Sequence, residues 1–189
     1  MLKSTSLKGR LITVATAWIA LGMVASWLVL ASVFQSHVTA QFYEELYLHL
    51  EELQRLANVE GERAVLRHNL SDPRYEVPRS GYYWEIQKAG QVLARSPSMQ
   101  AARLQTPPDK PTDVHVHTHK ISGPTGDLLV AEQLIWDVPD AKPLQFIIGT
   151  DQRHLDAVLS SFNATLSWAL AGLGLSMVLA AGLLILYAM

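Results

Sequence analysis

The chain has 189 residues, 49% of them hydrophobic and 17% charged, with a net charge of −2 and no cysteine. That length suits one domain with appendages. The charge balance leaves no basic footprint for nucleic acid, and the missing cysteines remove disulfides and thiolate chemistry.

Lys3, Lys8 and Arg10 stand in residues 1–10, and residues 11–34 then carry no charge. A helix of about 20 apolar residues crosses the hydrocarbon core. The run is longer than the h-region of a signal peptide, about 7 to 15 residues, although Val38-Thr39-Ala40 would serve as a cleavage site. A retained transmembrane helix is therefore expected over 11–34. Basic flanks favour the cytoplasmic side, so residues 1–10 are expected inside and residues 35–160 outside. Trp18 and Trp27 fall within the span. Small residues stand four apart at Gly22 and Ser26, and again at Gly172, Ser176 and Ala180. That spacing suits helix packing within or between subunits.

Tyr43, Leu46, Leu50, Leu53 and Ala57 alternate spacings of three and four, which lays one apolar stripe along a helix. Glu44, Glu45, Glu51 and Glu52 lie off it. The stripe fits either the domain's own sheet or the same helix of a second subunit. This helix is expected to continue the first crossing and run to about Leu70, with Gly61 as a weak point. Pro73 disfavours helical conformation in Asp72 and ends it.

Residues 82–86 read as a strand, Ala89-Gly90 as a turn, and residues 92–95 as the partner strand of a hairpin. Residues 96–104 form a short helix or an irregular crossover, and Pro107, Pro108 and Pro111 mark a loop over 106–112. Residues 114–121 alternate strictly, Gly123-Pro124-Thr125-Gly126 turns the chain, and residues 128–136 make the next strand. A loop over 137–142 leads to a last strand at 144–150. From Asp151 the pattern is helical, through Leu155, Val158, Leu159 and Phe162. No residue after Asp156 is charged, so residues 161–189 are expected as the second transmembrane helix. The expected class is α+β: an antiparallel sheet of about five strands with a long N-terminal helix and a membrane helix at each end.

Two constellations carry candidate chemistry. His115, His117 and His119 share one face of a strand, with Cβ atoms about 6.5 to 7 Å apart. Imidazole suits zinc, copper or nickel, and Asp113 would join that face. The same histidines suit pH sensing, or a solvated face alternating with buried Val114, Val116 and Thr118. Arg74, Arg79 and Arg95 suit an anion pocket, to which Tyr83 contributes, or surface pairing with Asp72, Glu76 and Glu85.

Asp72-Pro73-Arg74-Tyr75, followed by Pro78-x-Ser80-Gly81-Tyr82-Tyr83-Trp84-x-Ile86, resembles a segment of the PAS-like (PDC) extracytoplasmic sensors of bacterial two-component histidine kinases. Leu93-x-Arg95-Ser96-x-Ser98 and Gly123-Pro124-x-Gly126 resemble two further elements of one group of these kinases. The chain departs from that group at Glu85, Pro97 and Met99-Gln100. The resemblance runs from the first crossing to the second. It implies an inner-membrane homodimer that detects a small ligand, ion or partner protein outside. It also implies a HAMP linker and kinase core beyond the second crossing, acting on a cytoplasmic response regulator. Neither part is present, so the chain is expected to be a signal-input fragment without catalytic activity or cofactor. The alternatives are a membrane-anchored protein binding a divalent metal on the histidine face, and a structural membrane subunit.

Overall fold

The computed structural model describes residues 7–61, 63–100, 102–107, 115–136 and 142–187. Two helices, α1 (Leu7–Leu56) and α2 (Gln152–Tyr187), enclose seven strands among these residues. The chain forms two compact units, Met1–His37 with Ala157–Met189, and Val38–Asp156. The basic flank at Lys3, the loop at 108–112, Asp113, Val114 and the loop at 137–141 lie outside the described residues.

The first unit pairs the apolar stretches of α1 and α2, both long and apolar enough to cross a membrane. Large apolar side chains face outward, Trp18 at 70% and Trp168 at 81% exposure. Such exposure is costly in water and ordinary in lipid. Between the helices, Trp27 Nε1 donates to Ser167 Oγ at 3.2 Å, and the Phe34 and Phe162 rings stack with centroids 3.6 Å apart. The close approach is at Gly174, where a Cβ would meet Met23 Cε at 3.2 Å. Gly172 has open space around it, and the Ser176 hydroxyl donates to Leu173 of its own helix. The expected Gly172–Ser176–Ala180 ladder therefore lies off the α1–α2 contact. The contact face runs instead through Ser167, Ala171 and Gly174.

In the second unit α1 ends at Leu56 rather than near Leu70. Strands β1 (Ala57–Glu60) and β2 (Arg63–Leu66) form an antiparallel hairpin there. Gly61 turns it at φ +63, a conformation that helix cannot use and glycine adopts freely. The Arg67 N–H then caps the Leu56 carbonyl at 3.1 Å. A single 3-10 turn follows at Pro73–Glu76, with the Asp72 carboxylate accepting from the Arg74 N–H.

The main sheet joins β3 (Tyr82–Lys88), β4 (Gln91–Arg95), β5 (His117–Ser122), β6 (Asp127–Ile135) and β7 (Leu144–Asp151). Its spatial order is β4-β3-β7-β6-β5, antiparallel throughout. Ala89 and Gly90 both take positive φ, as a two-residue hairpin between right-twisted strands requires. Alternation along each strand separates two faces. One carries Tyr82, Trp84, Gln133, Ile148 and Thr150 and lies under α1, whose Gln54 amide donates to Gln133. Leu46, Leu50 and Leu53 are at most 2% exposed within the single chain. These three leucines of the stripe are thus core of their own domain, whereas Tyr43 is half-buried and Ala57 already belongs to β1. The far face buries Tyr83, Leu128, Val130 and Ile147 with Ile121, Met99 and Leu104.

Gly81 sits where β3 meets the start of α2. Its φ is +91, and a Cβ would lie 2.7 Å from His154 Nε2 and 2.9 Å from Asp151 Cβ. Gly81→Ala is expected to destabilise the protein by about 1–3 kcal/mol through strain and overpacking. Thermal unfolding measures it.

Candidate functional site

The motif residues are first of all structural fasteners. Ser98 Oγ donates to the Tyr82 carbonyl, and Ser96 Oγ accepts from the Trp84 N–H at 3.2 Å. Ser80 Oγ accepts from the Tyr82 N–H at 3.2 Å. Ser96 and Ser98 extend the β3–β4 pairing beyond the last ladder bond, and Ser80 secures the entry into β3.

The three arginines do not meet. On the α1 side, the Arg74 guanidinium binds Asp72, Glu45 at 2.7 Å and the Tyr82 hydroxyl, and lies over the Tyr82 ring. Burial alone would raise the Asp72 carboxyl, but the hydrogen bonds from Arg74 outweigh it and hold it below the usual carboxylate range. Arg74 is held protonated more firmly than usual by the same contacts, the Asp72 hydrogen bond foremost. Glu45, His49 and Asp72 bring metal-type ligand atoms within 4.8 Å of one another. Arg74 already bridges the two acids, so this group is an ion-pair network. Arg79 is exposed, at φ +56. Arg95 donates to the Ala102 carbonyl at 3.0 Å. Tyr83, on the far face, is fully buried with its hydroxyl 3.0 Å from Thr125 Oγ1.

The far face holds the arrangement with most chemistry. Strand register puts Arg95, Glu85, Ile147, Glu132 and His117 in one row across five strands. The next row holds Gln87, Gln145 and Leu134. Glu85 and Glu132 are 0% and 1% exposed. Carboxylates so buried need hydrogen bonds. Glu85 accepts from the Gln87 amide at 2.7 Å and the Leu104 N–H at 3.2 Å. Glu132 accepts from the Gln145 amide at 2.7 Å and faces His119 Nε2 at 3.0 Å. Beside them opens a cavity of about 570 Å³, lined by Gln87, Gln145, Leu134, Pro143, Gly90 and the segment 103–107.

Burial pushes the Glu85 carboxyl up, against the pull of the Leu104 and Gln87 hydrogen bonds. A carboxyl whose pKa rises on folding holds its proton more tightly in the folded state. Its contribution to stability is then lost as pH climbs above the unfolded carboxylate value. Glu85→Gln is expected to raise the melting temperature at neutral pH, with the gain vanishing in acid below the unfolded carboxylate value. Unfolding curves across pH check this.

His117 and His119 share a strand face as expected, but that face is not the solvated one. His115 and Val116 precede β5, while His117 and His119 lie in it with rings 6.3 Å apart. Both are partly buried on the far face with Ile121, and the alternate residues Thr118, Lys120 and Ser122 are exposed. The histidine face points inward, because it shares parity with Ile121. Gln87, Gln145, Glu132, Thr106 and Arg103 escaped the sequence reading. For Gln87, Glu132 and Gln145 the available signal was a polar residue at an inward strand position; Arg103 and Thr106 lie outside the strands and offered none.

No family model matches the chain, and neither a curated relative nor a solved structure matches it. The strand order and the two flanking helices define its class by themselves: a PAS-like domain bounded by two apolar helices. That architecture is consistent with a membrane-anchored sensory or signalling domain.

Proposed function

We propose that the chain is the signal-input region of a two-component sensor histidine kinase. The N-terminus lies in the cytoplasm and Val38–Asp156 senses a stimulus in the periplasm. A change in the domain shifts the two membrane helices relative to one another, and a kinase core then passes the signal to a response regulator. The observation that carries this reading is the PAS-like sheet set between two apolar helices. It is supported by the Asp72-Pro73-Arg74-Tyr75 and Arg95-Ser96-x-Ser98 motifs. The orientation draws on Lys3, Lys8 and Arg10 before the first span. A stimulus acts only through different affinity for the two signalling states.

The test joins the whole chain, after Met189, to the HAMP linker and kinase core of a characterised sensor kinase. Autophosphorylation that changes with periplasmic conditions is expected. A chimera that is folded, inserted and constitutively indifferent to them would remove the reading. Alkaline phosphatase fused at residue 104 should be active, and the same enzyme fused at residue 10 inactive; the reverse result overturns the orientation.

A further inference from the structure

The far-face cavity has a polarity fixed by the acids beneath it. A glutamine amide has two N–H donors and one carbonyl acceptor. Gln87 Nε2 donates to Glu85 Oε1 at 2.7 Å and to the Leu104 carbonyl at 2.9 Å. Gln145 Nε2 donates to Glu132 Oε2 at 2.7 Å and to Thr106 Oγ1 at 2.9 Å. Both donors of both amides are committed. What each glutamine has left to offer a ligand is its carbonyl oxygen. The two residues are direct cross-strand partners on one face, so their side chains stand about 4.5–5.5 Å apart at Cβ. Two adjacent acceptors, backed by two buried carboxylates, suit an ammonium group.

The rim has the opposite character. Arg103 lines the cavity, is exposed and spends one N–H on the Gly90 carbonyl at 3.3 Å. A guanidinium carries five donors, so several remain for a carboxylate. Leu134, Pro107 and Pro143 supply apolar wall. The volume, about 570 Å³, falls among small-molecule sites of about 300–1,000 Å³.

The geometry points to a small aliphatic amino acid as the ligand of this cavity, its ammonium on the Gln87 and Gln145 carbonyl oxygens and its carboxylate on Arg103. This deepens the sensor reading and rests on it, since it names what the periplasmic domain would detect. A plain carboxylic acid fits the inner end less well, because both glutamine amides are spent as donors and only the Thr106 hydroxyl, which accepts from Gln145, keeps an O–H among the side chains named there.

Calorimetric titration of the full chain in detergent micelles tests it. The probes are glycine, alanine, valine, leucine, isoleucine and methionine. For the tightest binder, the deaminated acid and the decarboxylated amine follow; for leucine these are 4-methylpentanoate and 3-methylbutylamine. Each charged end should be worth about tenfold or more in affinity. Arg103→Ala should weaken the amino acid by a similar factor, leave the amine unchanged and keep the ligand-free melting temperature. Gln145→Met should weaken the amine. Binding of none of the amino acids, or of the deaminated acid as tightly as its parent, overturns the assignment. If the kinase chimera responds while no amino acid binds, only the ligand class is lost. If amino acids bind and the chimera is silent, the cavity chemistry stands and the sensor reading is lost.

Discussion

Leu50→Ala is expected to lower the unfolding free energy by about 2–5 kcal/mol, the range for deleting a buried leucine side chain. Leu50 is 1% exposed, with Leu46 and Leu53 buried one turn to either side. No second copy of the chain is needed to cover them. The loss should therefore appear as the same drop in melting temperature at every protein concentration, followed by fluorescence of the full chain in detergent. A seam between subunits behaves differently. There the variant's melting temperature would climb back toward that of the parent chain as concentration rose. That climb would return the stripe to a dimer interface. The outer side of the same helix, where Tyr43 and Tyr47 pair with ring centroids 6.5 Å apart and Leu48 is 66% exposed, is not part of this core.

The strands were legible because each is a short run of alternating or branched residues closed by turn chemistry. Ala89-Gly90 and Gly123-Pro124-Thr125-Gly126 stand where the hairpins β3–β4 and β5–β6 turn. The β1–β2 hairpin was hidden because Ala57 continues the spacing of the α1 stripe, so periodicity ran on past the true end at Leu56. Gly61 was the contrary signal, and the backbone there obeyed it. The inward histidine face was legible in principle, since Ile121 shares its parity and no half-buried strand turns an isoleucine out by choice. The arginines misled for another reason. Closeness to one motif in sequence says nothing about sheet face, and Arg74 and Arg95 serve opposite faces. Pairing order cannot be read from the strands themselves. It is set by which edges the connections can reach, and it alone brought Glu85, Glu132, Gln87 and Gln145 into neighbouring rows.

Asp151→Ala should cost about 2–4 kcal/mol at neutral pH, because one carboxylate ends β7, caps α2 and anchors a part-buried chain of hydroxyls. Asp151 Oδ1 accepts from the Arg153 N–H at 2.9 Å, an N-cap contact worth about 1 kcal/mol. Oδ2 accepts from Thr125 Oγ1 at 2.7 Å, which obliges the Tyr83 hydroxyl to donate to Thr125 in turn. Removing the acceptor leaves that pair unsatisfied at about 1–3 kcal/mol. Burial would raise the carboxyl, but the Arg153 and Thr125 hydrogen bonds prevail and bring it down to about 2. An unfolded aspartate titrates near about 3.9. The folded value is the lower one, so this stabilisation is complete above about pH 4 and is lost as pH falls toward 2. Arg153 is largely in solvent, which screens the pair and trims the acid-sensitive share to about 1 kcal/mol. Asp151→Asn isolates that share: unfolding free energies of the two proteins should converge as pH drops from 4 to 2. An equal acid loss in both would show that some other carboxylate governs it. The functional consequence follows from position. Tyr83 belongs to the far-face core and Asp151 ends β7 just before α2, so under the sensor reading proposed above the Thr125 hydroxyl would carry a change at the sheet to the start of α2. Asp151→Asn should therefore alter the kinase output of the chimera at neutral pH, where the folded population is intact, and an unchanged output would detach this link from signalling.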